Sequence, residues 1–282
     1  MITIDTCIVC GSKNFTPQFK KASERGDEFT LVKCSRCGMR FLSSVPDEKE
    51  IKKYYSKEYF TKRTERGYDN YFSDKVRNEI ERVFKLNLAD LDFFKFEDWL
   101  KGRKNCLDIG CAAGYFVNFM KGRGWDSSGI DVSKDCVAFA RKSGMDVRPG
   151  DYLKINYSKK FQLITLWATI EHLHRPDLVL KKIYKDMDAN GILCISTCRA
   201  GGLNFMRLFG KEWRFYNFPE HIFFFSYRTL KEILENSGFQ VVRYKTYGSN
   251  FGKSGSIIRN LADYLAKKFY LGDMMIVSAK KL

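Results

Sequence analysis

A glycine-bearing stretch at residues 107–116, Leu-Asp-Ile-Gly-Cys-Ala-Ala-Gly-Tyr-Phe, limits the possible folds of this chain more than any other segment. The apolar run that ends at Ile109 predicts a buried strand, and the spacing after Gly114 predicts a helix. Because Gly110 and Gly114 have no Cβ, a ligand can approach the turn between them closely. The N–H groups at the start of the helix would point toward that ligand. The stretch therefore predicts a strand–turn–helix unit with a binding function.

The pattern of this turn, Asp-x-Gly-x-Ala-x-Gly from Asp108 to Gly114, resembles the first motif of class I S-adenosylmethionine (SAM) dependent methyltransferases. That family often has Gly where this chain has Ala112, and a methyl group still permits a close approach. The dinucleotide fingerprint G-x-G-x-x-G fits less well, because Ala112 and Tyr115 occupy two of its glycine positions. A tight strand–helix turn in another α/β fold is the alternative interpretation of this motif alone.

The rest of the chain alternates strands with helical segments. Further strands are predicted at residues 127–131, 145–148, 161–167, 192–197, 239–244 and 273–279. This alternation predicts an α/β fold with a mostly parallel sheet and helices on both faces. The resemblance implies the Rossmann-like seven-stranded methyltransferase sheet, with strand order 3-2-1-4-5-7-6 and strand 7 antiparallel.

The resemblance also implies a SAM site at the carboxyl ends of the strands. Asp108 would lie near the charged methionine end of SAM, and Gly110 and Gly114 would let the backbone approach it. Asp131 follows the second strand about twenty residues after the turn, where α/β nucleotide sites hold two ribose hydroxyls. A carboxylate suits this task because it can accept both hydroxyl protons.

Four more residues complete the expected SAM site. Val132 would lie against the adenine, and Asp151 would receive its amino group, with Tyr152 beside it. Asp151 follows Gly150, so a turn-capping aspartate is the alternative interpretation. Trp167, at the end of the fourth strand, would line the pocket.

An acid–histidine pair, Glu171-His172, follows the fourth strand, and Pro176 then suits the first turn of a helix. Methyl transfer from a sulfonium depends largely on positioning of the two reactants. A hydroxyl acceptor must also lose a proton, and His is the usual base near neutral pH. We predict His221 as the first candidate for this base and His172 as the second. A structural role at a helix start is the alternative for His172.

The same residues resemble a metal-binding set of other enzymes. Glu171, His172 and His221 are similar to the ligands of some small-molecule and RNA-end O-methyltransferases. The RNA-end enzymes have a further Glu where this chain has Ala168, so no second metal is expected. The Asn/Asp-Pro-Pro-aromatic motif of nucleic-acid amine methyltransferases is absent after the fourth strand, which weighs against base amines as acceptors.

Two Cys-x-x-Cys-Gly units stand at residues 7–11 and 34–38. Each puts two thiolates on one tight knuckle, and the glycine permits the turn that closes it. The four cysteines match a closed tetrahedral Zn²⁺ site: Cys7, Cys10, Cys34 and Cys37. A redox pair is the weaker alternative, because the motif occurs twice and neither copy precedes a βαβ pattern. The prediction is a structural zinc ribbon that folds on binding its metal.

These motifs divide the chain into a zinc ribbon at 1–45, a helical linker or lid at 46–100, and a methyltransferase domain at 101–282. Two inserts, near 199–226 and 254–271, are expected to bind the acceptor. The first mixes aromatic and cationic residues that suit a sugar or phosphate, with a small subsidiary core as the alternative. The second carries an apolar helical face that could contact a membrane surface, although core packing or a dimer contact is favoured.

The formal charge of +16 suggests an anionic substrate, an anionic surface or RNA as a partner, with solubility as the alternative. No apolar run reaches the ~18–20 residues of a membrane span, and no leader pattern is evident, so a cytoplasmic location is expected. The resemblance extends to zinc-containing bacterial and archaeal methyltransferases of sugar or secondary-metabolite pathways. It implies methylation of a hydroxyl or carbon on a small polar metabolite or glycan. An RNA methyltransferase and a non-enzymatic interaction protein on a degenerate core are the alternatives.

Overall fold

The structure, a computed structural model, describes residues 1–47, 49–54, 70–201, 209–248 and 257–282. Its N-terminal part contains β1 (Ile2–Thr3), β2 (Phe15–Ala22), β3 (Glu28–Cys34), β4 (Arg40–Leu42) and β5 (Ser44–Val45). Strands β2, β3 and β4 form an antiparallel sheet, in which Val32 lies opposite Phe41. Each cysteine unit lies at a turn of this module, as a zinc ribbon requires.

The predicted linker contains two helices, α1 (Asp74–Asp90) and α2 (Phe93–Trp99). The helical pattern breaks at Asp92, which has a left-handed φ of 56°. Pro46 followed by Asp47 predicts the start of a helix, but the described residues there form a short 3-10 turn at Ile51–Lys53. Asp47 accepts the backbone N–H groups of the residues two and three positions later, which closes a local turn instead. Residues 48 and 55–69 of the linker lie outside the described part.

The remaining elements follow as β6 (Asn105–Ile109), α3 (Tyr115–Lys121), β7 (Asp126–Asp131), α4 (Lys134–Lys142), β8 (Val147–Pro149), β9 (Phe161–Trp167), α5 (Pro176–Asp186), β10 (Met187–Cys198), β11 (Phe223–Phe224), α6 (Tyr227–Glu235), β12 (Phe239–Tyr247), α7 (Ile257–Lys268) and β13 (Met274–Lys281). In the described part of the chain, seven of these strands form one sheet in the order β12-β13-β10-β9-β6-β7-β8. Strands β8, β7, β6, β9 and β10 are parallel, and β13 is antiparallel to both neighbours. This confirms the predicted seven-stranded sheet and its order.

Helices cover both faces of the sheet, and two of the three hydrophobic clusters in the described chain are large. One cluster continues from sheet residues such as Leu166 and Ile195 into the ribbon, where it includes Phe29 and Phe41. The second contains residues of α1, α2 and α3, such as Phe84 and Phe116. The ribbon therefore shares a core with the sheet and is not an isolated appendage.

The short strand β11 belongs to the ribbon sheet, whose order is β11-β4-β3-β2. Phe223 of β11 lies opposite Phe41 of β4, and the Leu42 N–H donates to the Ile222 carbonyl at 3.0 Å. Strand β11 comes from the insert near 199–226, so a segment far along the chain completes the N-terminal sheet.

Candidate active site

The turn after β6 is held against the neighbouring strand β7. The N–H groups of Gly110 and Cys111 donate to the Ile130 carbonyl at 2.8 and 3.2 Å. Gly110 has a φ of +72°, and a Cβ at this position would lie 2.4 Å from the Thr169 side chain. Glycine is therefore required at this position, because the turn presses on the segment that follows β9.

Gly114 is required for a different reason from the one predicted. It begins helix α3 with a φ of +75°, and a Cβ here would lie 2.7 Å from the sulfur of Met145. The nearest atoms belong to Met145, Ala140 and Val147, so this glycine lets α3 pack closely on α4 and β8.

Asp131, at the end of β7, closes the turn from the opposite side. Its Oδ2 accepts the Ala112 N–H at 2.8 Å, and its Oδ1 accepts the Ser133 N–H at 2.7 Å. Burial raises the pKa of Asp131, while these backbone N–H groups oppose the rise. Each carboxylate oxygen has a second lone pair that can accept a ligand hydroxyl. Val132, next in the chain, is 58% exposed. These features fit a nucleoside ribose and base.

Asp108 lies near the carboxyl end of β6, between the ends of β7 and β9. It is buried, and the Thr165 hydroxyl of β9 donates to its Oδ1 at 2.6 Å. Burial, with a contribution from the charge of Asp131, raises the pKa of Asp108 to about 8. A cation bound beside Asp108 would stabilise the charged carboxylate, so the site fits the charged end of SAM.

Three further residues that are predicted to contact the cofactor also make contacts within the protein. The Tyr152 side chain is buried, and its hydroxyl donates to Asp186 of α5 at 2.6 Å. Asp151 accepts the Leu153 N–H at 2.9 Å with its Oδ1, a bond that caps its own turn and is also compatible with a ligand contact. Trp167 packs on Phe84 and Phe116, with ring centroids 4.8 and 5.1 Å away.

The acid–histidine pair and His221 come together although they are far apart in sequence. Ligand atoms of Glu171, His172 and His221 all lie within 4.8 Å of one another. The two imidazole rings meet edge to face at 4.6 Å between centroids. The Nδ1 atom of His172 lies 2.7 Å from the Glu220 carbonyl. A carbonyl only accepts, so His172 carries its proton on Nδ1 and presents Nε2 as an acceptor when neutral.

Glu171 is the most deeply buried member of this cluster, and it is 1% exposed. Its Oε2 has no hydrogen-bond partner within the described ranges. Burial raises the pKa of Glu171 to about 7. The carboxyl therefore changes its charge near neutral pH beside two imidazoles.

The four ribbon cysteines also converge. The Sγ atoms of Cys7 and Cys37 are 3.6 Å apart, and those of Cys10 and Cys34 are 3.5 Å apart. All four sulfurs lie within 4.8 Å of one another. Sulfurs of a tetrahedral site with Zn–S bonds near 2.3 Å are about 3.8 Å apart, so the cluster is compatible with zinc.

The described parts of the two inserts differ in burial. The aromatic side chains of Trp213, Tyr216 and Phe218, in the first insert, are buried in the hydrophobic cluster that the ribbon shares with the sheet. Their burial matches the alternative of a subsidiary core. In α7, Ile257 and Leu261 are 87% and 57% exposed, so these two side chains do not pack in the core of the described chain, and the dimer contact stays a prediction. Residues 202–208 and 254–256 of the inserts lie outside the described part.

Sequence reasoning missed Thr165 and Thr169, which contact Asp108 and the turn at Gly110, respectively. Their position was the available signal, because Thr165 lies opposite Asp108 in the parallel register and Thr169 follows the end of the same strand. It also missed Ile222, whose N–H donates to the Glu171 carbonyl at 2.8 Å. No local pattern marks that contact.

A family model described as a methyltransferase domain matches residues 65–244, which is more than half of the chain. The chain therefore belongs to the methyltransferase domain family. Its sheet has the architecture of the SAM-dependent methyltransferases. Family and fold together define the class of the protein, a methyltransferase domain with the fold of the SAM-dependent methyltransferases.

Solved structures support this fold at low sequence identity. A SAM-dependent methyltransferase from Archaeoglobus fulgidus has a TM-score of 0.55 and 22% identity, covering 81% of this chain and 99% of its own. The [4+2]-cyclase SpnF has a TM-score of 0.55 and 18% identity, covering 84% and 97%. Because one of these proteins is a cyclase, the fold alone does not define the reaction.

Curated relatives match parts of the chain. A ubiquinone biosynthesis O-methyltransferase from Glaesserella parasuis is 30% identical over 106 residues, 33% of this chain and 45% of the relative. A malonyl-[acyl-carrier protein] O-methyltransferase from Acetivibrio thermocellus is 24% identical over 157 residues, 54% and 50% of the two chains. The chain thus spans about half the length of these relatives. None of the helices in the described ranges is long and apolar enough to cross a membrane.

Proposed function

We propose that this protein transfers the methyl group of SAM to a hydroxyl, or to a carbon, of a small polar metabolite of sugar, sugar-nucleotide or glycan type. The observation that carries the proposal is the convergence of Glu171, His172 and His221 within 4.8 Å, beyond the end of the strand next to Asp108. This arrangement supports proton removal beside a SAM site. The relatives named as O-methyltransferases support an oxygen atom as the acceptor.

On this proposal, the ends of β6 and β7 hold the cofactor. Asp131 accepts the two ribose hydroxyls with the lone pairs that its bonds to Ala112 and Ser133 leave. Val132 covers the adenine, and Asp108 faces the charged methionine end. When bound, SAM supplies a methyl group on a positively charged sulfur.

The histidines then serve the acceptor. His221 is the first candidate base and His172 the second. The base takes the hydroxyl proton while the oxygen attacks the methyl carbon and the carbon–sulfur bond breaks. The bond from His172 to the Glu220 carbonyl supports this role, because it fixes the tautomer and the ring orientation.

The proposal includes a structural zinc on Cys7, Cys10, Cys34 and Cys37. It also divides the chain into a zinc ribbon at 1–45, a helical linker or lid at 46–100 and a methyltransferase domain at 101–282. An anionic acceptor is supported by the formal charge of +16.

The first experiment transfers labelled methyl from SAM into fractionated cell extract, with small metabolites, glycans and lipids, RNA and protein scored separately. Label in the small-molecule or glycan fraction supports the proposal, and label in RNA alone overturns its acceptor class.

SAM binding by calorimetry tests the enzyme proposal before any acceptor is known. Metal-loaded protein is expected to bind SAM at a single site. No detectable binding would favour the alternative of a non-enzymatic interaction protein.

A further inference from the structure

The zinc ribbon is joined to the histidine cluster by one short strand. The knuckle that carries Cys34 and Cys37 closes through the Gly38 N–H to the Cys34 carbonyl at 3.0 Å and leads directly into β4. Strand β4 then pairs with β11, and Phe41 and Phe223 lie opposite each other. Both phenylalanines are buried, so this pairing is part of the protein core.

The peptide groups of Ile222 connect the ribbon to the histidine cluster, one on each side of the residue. Its carbonyl accepts the Leu42 N–H from the ribbon at 3.0 Å, and its N–H donates to the Glu171 carbonyl at 2.8 Å. His221 immediately precedes Ile222, and His172 immediately follows Glu171. Ribbon, Ile222 and histidine cluster therefore form one continuous path of backbone hydrogen bonds.

We propose that the zinc ribbon is a positioning element for methyl transfer. Its strand β4 holds Ile222 in register, and so holds His221 against Glu171 and His172. The inference rests on the proposed function. Phe41 is the positioning residue that it adds, because its ring packs on Phe223 with centroids 6.1 Å apart.

The test compares Phe41→Leu with Phe29→Leu in zinc-loaded protein. Phe29 is an equally buried ribbon residue on β3, and it is 2% exposed. Phe41→Leu is expected to speed amide exchange at Leu42 and Ile222 about tenfold, whereas Phe29→Leu leaves Ile222 unchanged. It is also expected to lower kcat about tenfold, because small displacements of a catalytic group are costly, while SAM affinity stays within about twofold.

Nitrogen NMR of the imidazoles provides a readout that general destabilisation would not reproduce. The chain has three histidines, so assignment needs few variants. In wild-type protein His172 is expected as the Nδ1–H tautomer, and in Phe41→Leu as a mixture of tautomers. Chelation of zinc from wild-type protein is expected to have the same effects as Phe41→Leu. These are faster amide exchange at Ile222, a mixture of His172 tautomers and a lower kcat.

Equal losses of kcat in the two variants, or unchanged exchange at Ile222 in Phe41→Leu, would overturn the positioning role. The proposed function fails separately, if zinc-loaded wild-type protein methylates no fraction of the extract. In that case the exchange and tautomer measurements still decide whether the ribbon positions the histidines.

Discussion

Ala112 donates its backbone N–H to Oδ2 of Asp131 at 2.8 Å, although 19 residues separate the two positions. The bond joins the turn after β6 to the end of β7. The same carboxylate accepts the Ser133 N–H, which lies just before helix α4. Asp131 therefore supports the turn and still has acceptor capacity for a ligand, so its loss affects both the shape and the chemistry of the site.

Replacing Asp131 should weaken SAM binding sharply. Hydrogen bonds to charged groups contribute about 1.5–3 kcal/mol each, so Asp131→Ala is expected to raise the Kd at least about tenfold. Asp131→Asn keeps one acceptor oxygen, so its Kd should lie between those of the wild-type protein and Asp131→Ala. Calorimetry measures the effect, with Asp126→Ala as the control at the exposed start of the same strand. An unchanged Kd in Asp131→Ala would refute the ribose role.

SAM binding should release a proton from Asp108. Burial raises the pKa of this carboxyl to about 8, and a bound cation lowers it again. Binding then favours the carboxylate and should tighten as pH rises from about 6 to 8. Calorimetry in two buffers of different ionisation enthalpy counts the protons. Asp108→Asn should remove this dependence, and equal proton release in the variant would exclude Asp108 as its source.

Loss of His221 should lower turnover far more than SAM affinity. General base catalysis contributes about 10²–10⁴-fold, so His221→Gln is expected to reduce kcat by at least about 10²-fold. His172→Gln tests the second candidate in the same assay. His174→Gln is the matched control, because its Nε2 donates to the Pro46 carbonyl at 2.8 Å. Full turnover in His221→Gln would rule it out as the base.

The ribbon should bind one zinc ion per chain through its four cysteines. Cys34→Ser is expected to lower the bound zinc and to destabilise the ribbon sheet, since structural zinc contributes directly to folding. Cys136→Ser is the control, because this buried cysteine lies in α4, outside the metal cluster. Metal analysis of the purified proteins measures the difference. Equal zinc in the two variants would contradict the assignment.

Substitutions at Gly110 and Ala112, both in the turn after β6, should have different effects on the free energy of unfolding. Gly110→Ala adds a Cβ 2.4 Å from Thr169 at a φ of +72°, and should lower the free energy of unfolding by at least about 1–2 kcal/mol. Ala112 has a φ of +44°, so Ala112→Gly should be neutral or stabilising by up to about 1 kcal/mol. Denaturant unfolding measures both. A Gly110→Ala protein of unchanged stability would contradict the close packing.

Much of the sheet was predictable because its signals are local. Apolar runs that end in Asp108 or Asp131 mark strand ends, and parallel strands bring such ends to one edge. Side-chain direction was less predictable. The sequence at Tyr152 does not show that its hydroxyl meets Asp186, and Asp151 is equally compatible with a cap or a ligand contact.

Contacts between distant short segments could not be predicted. Strand β11 has two residues, too few for any periodic pattern, and its partner β4 lies in the ribbon. His221 lies two residues before this strand, so its approach to Glu171 also has no local sequence signal. A resemblance could suggest both residues for the site, but only the three-dimensional structure brings them together.

The pairing of β4 with β11 also has a consequence for protein synthesis. Residues 40–42 leave the ribosome long before residues 223–224, and an unpaired strand edge invites association with other chains. During that interval β4 has a partner on one side only, in β3. A metal ion bound early to the cysteines would keep the nascent ribbon folded until the arriving strand covers its edge.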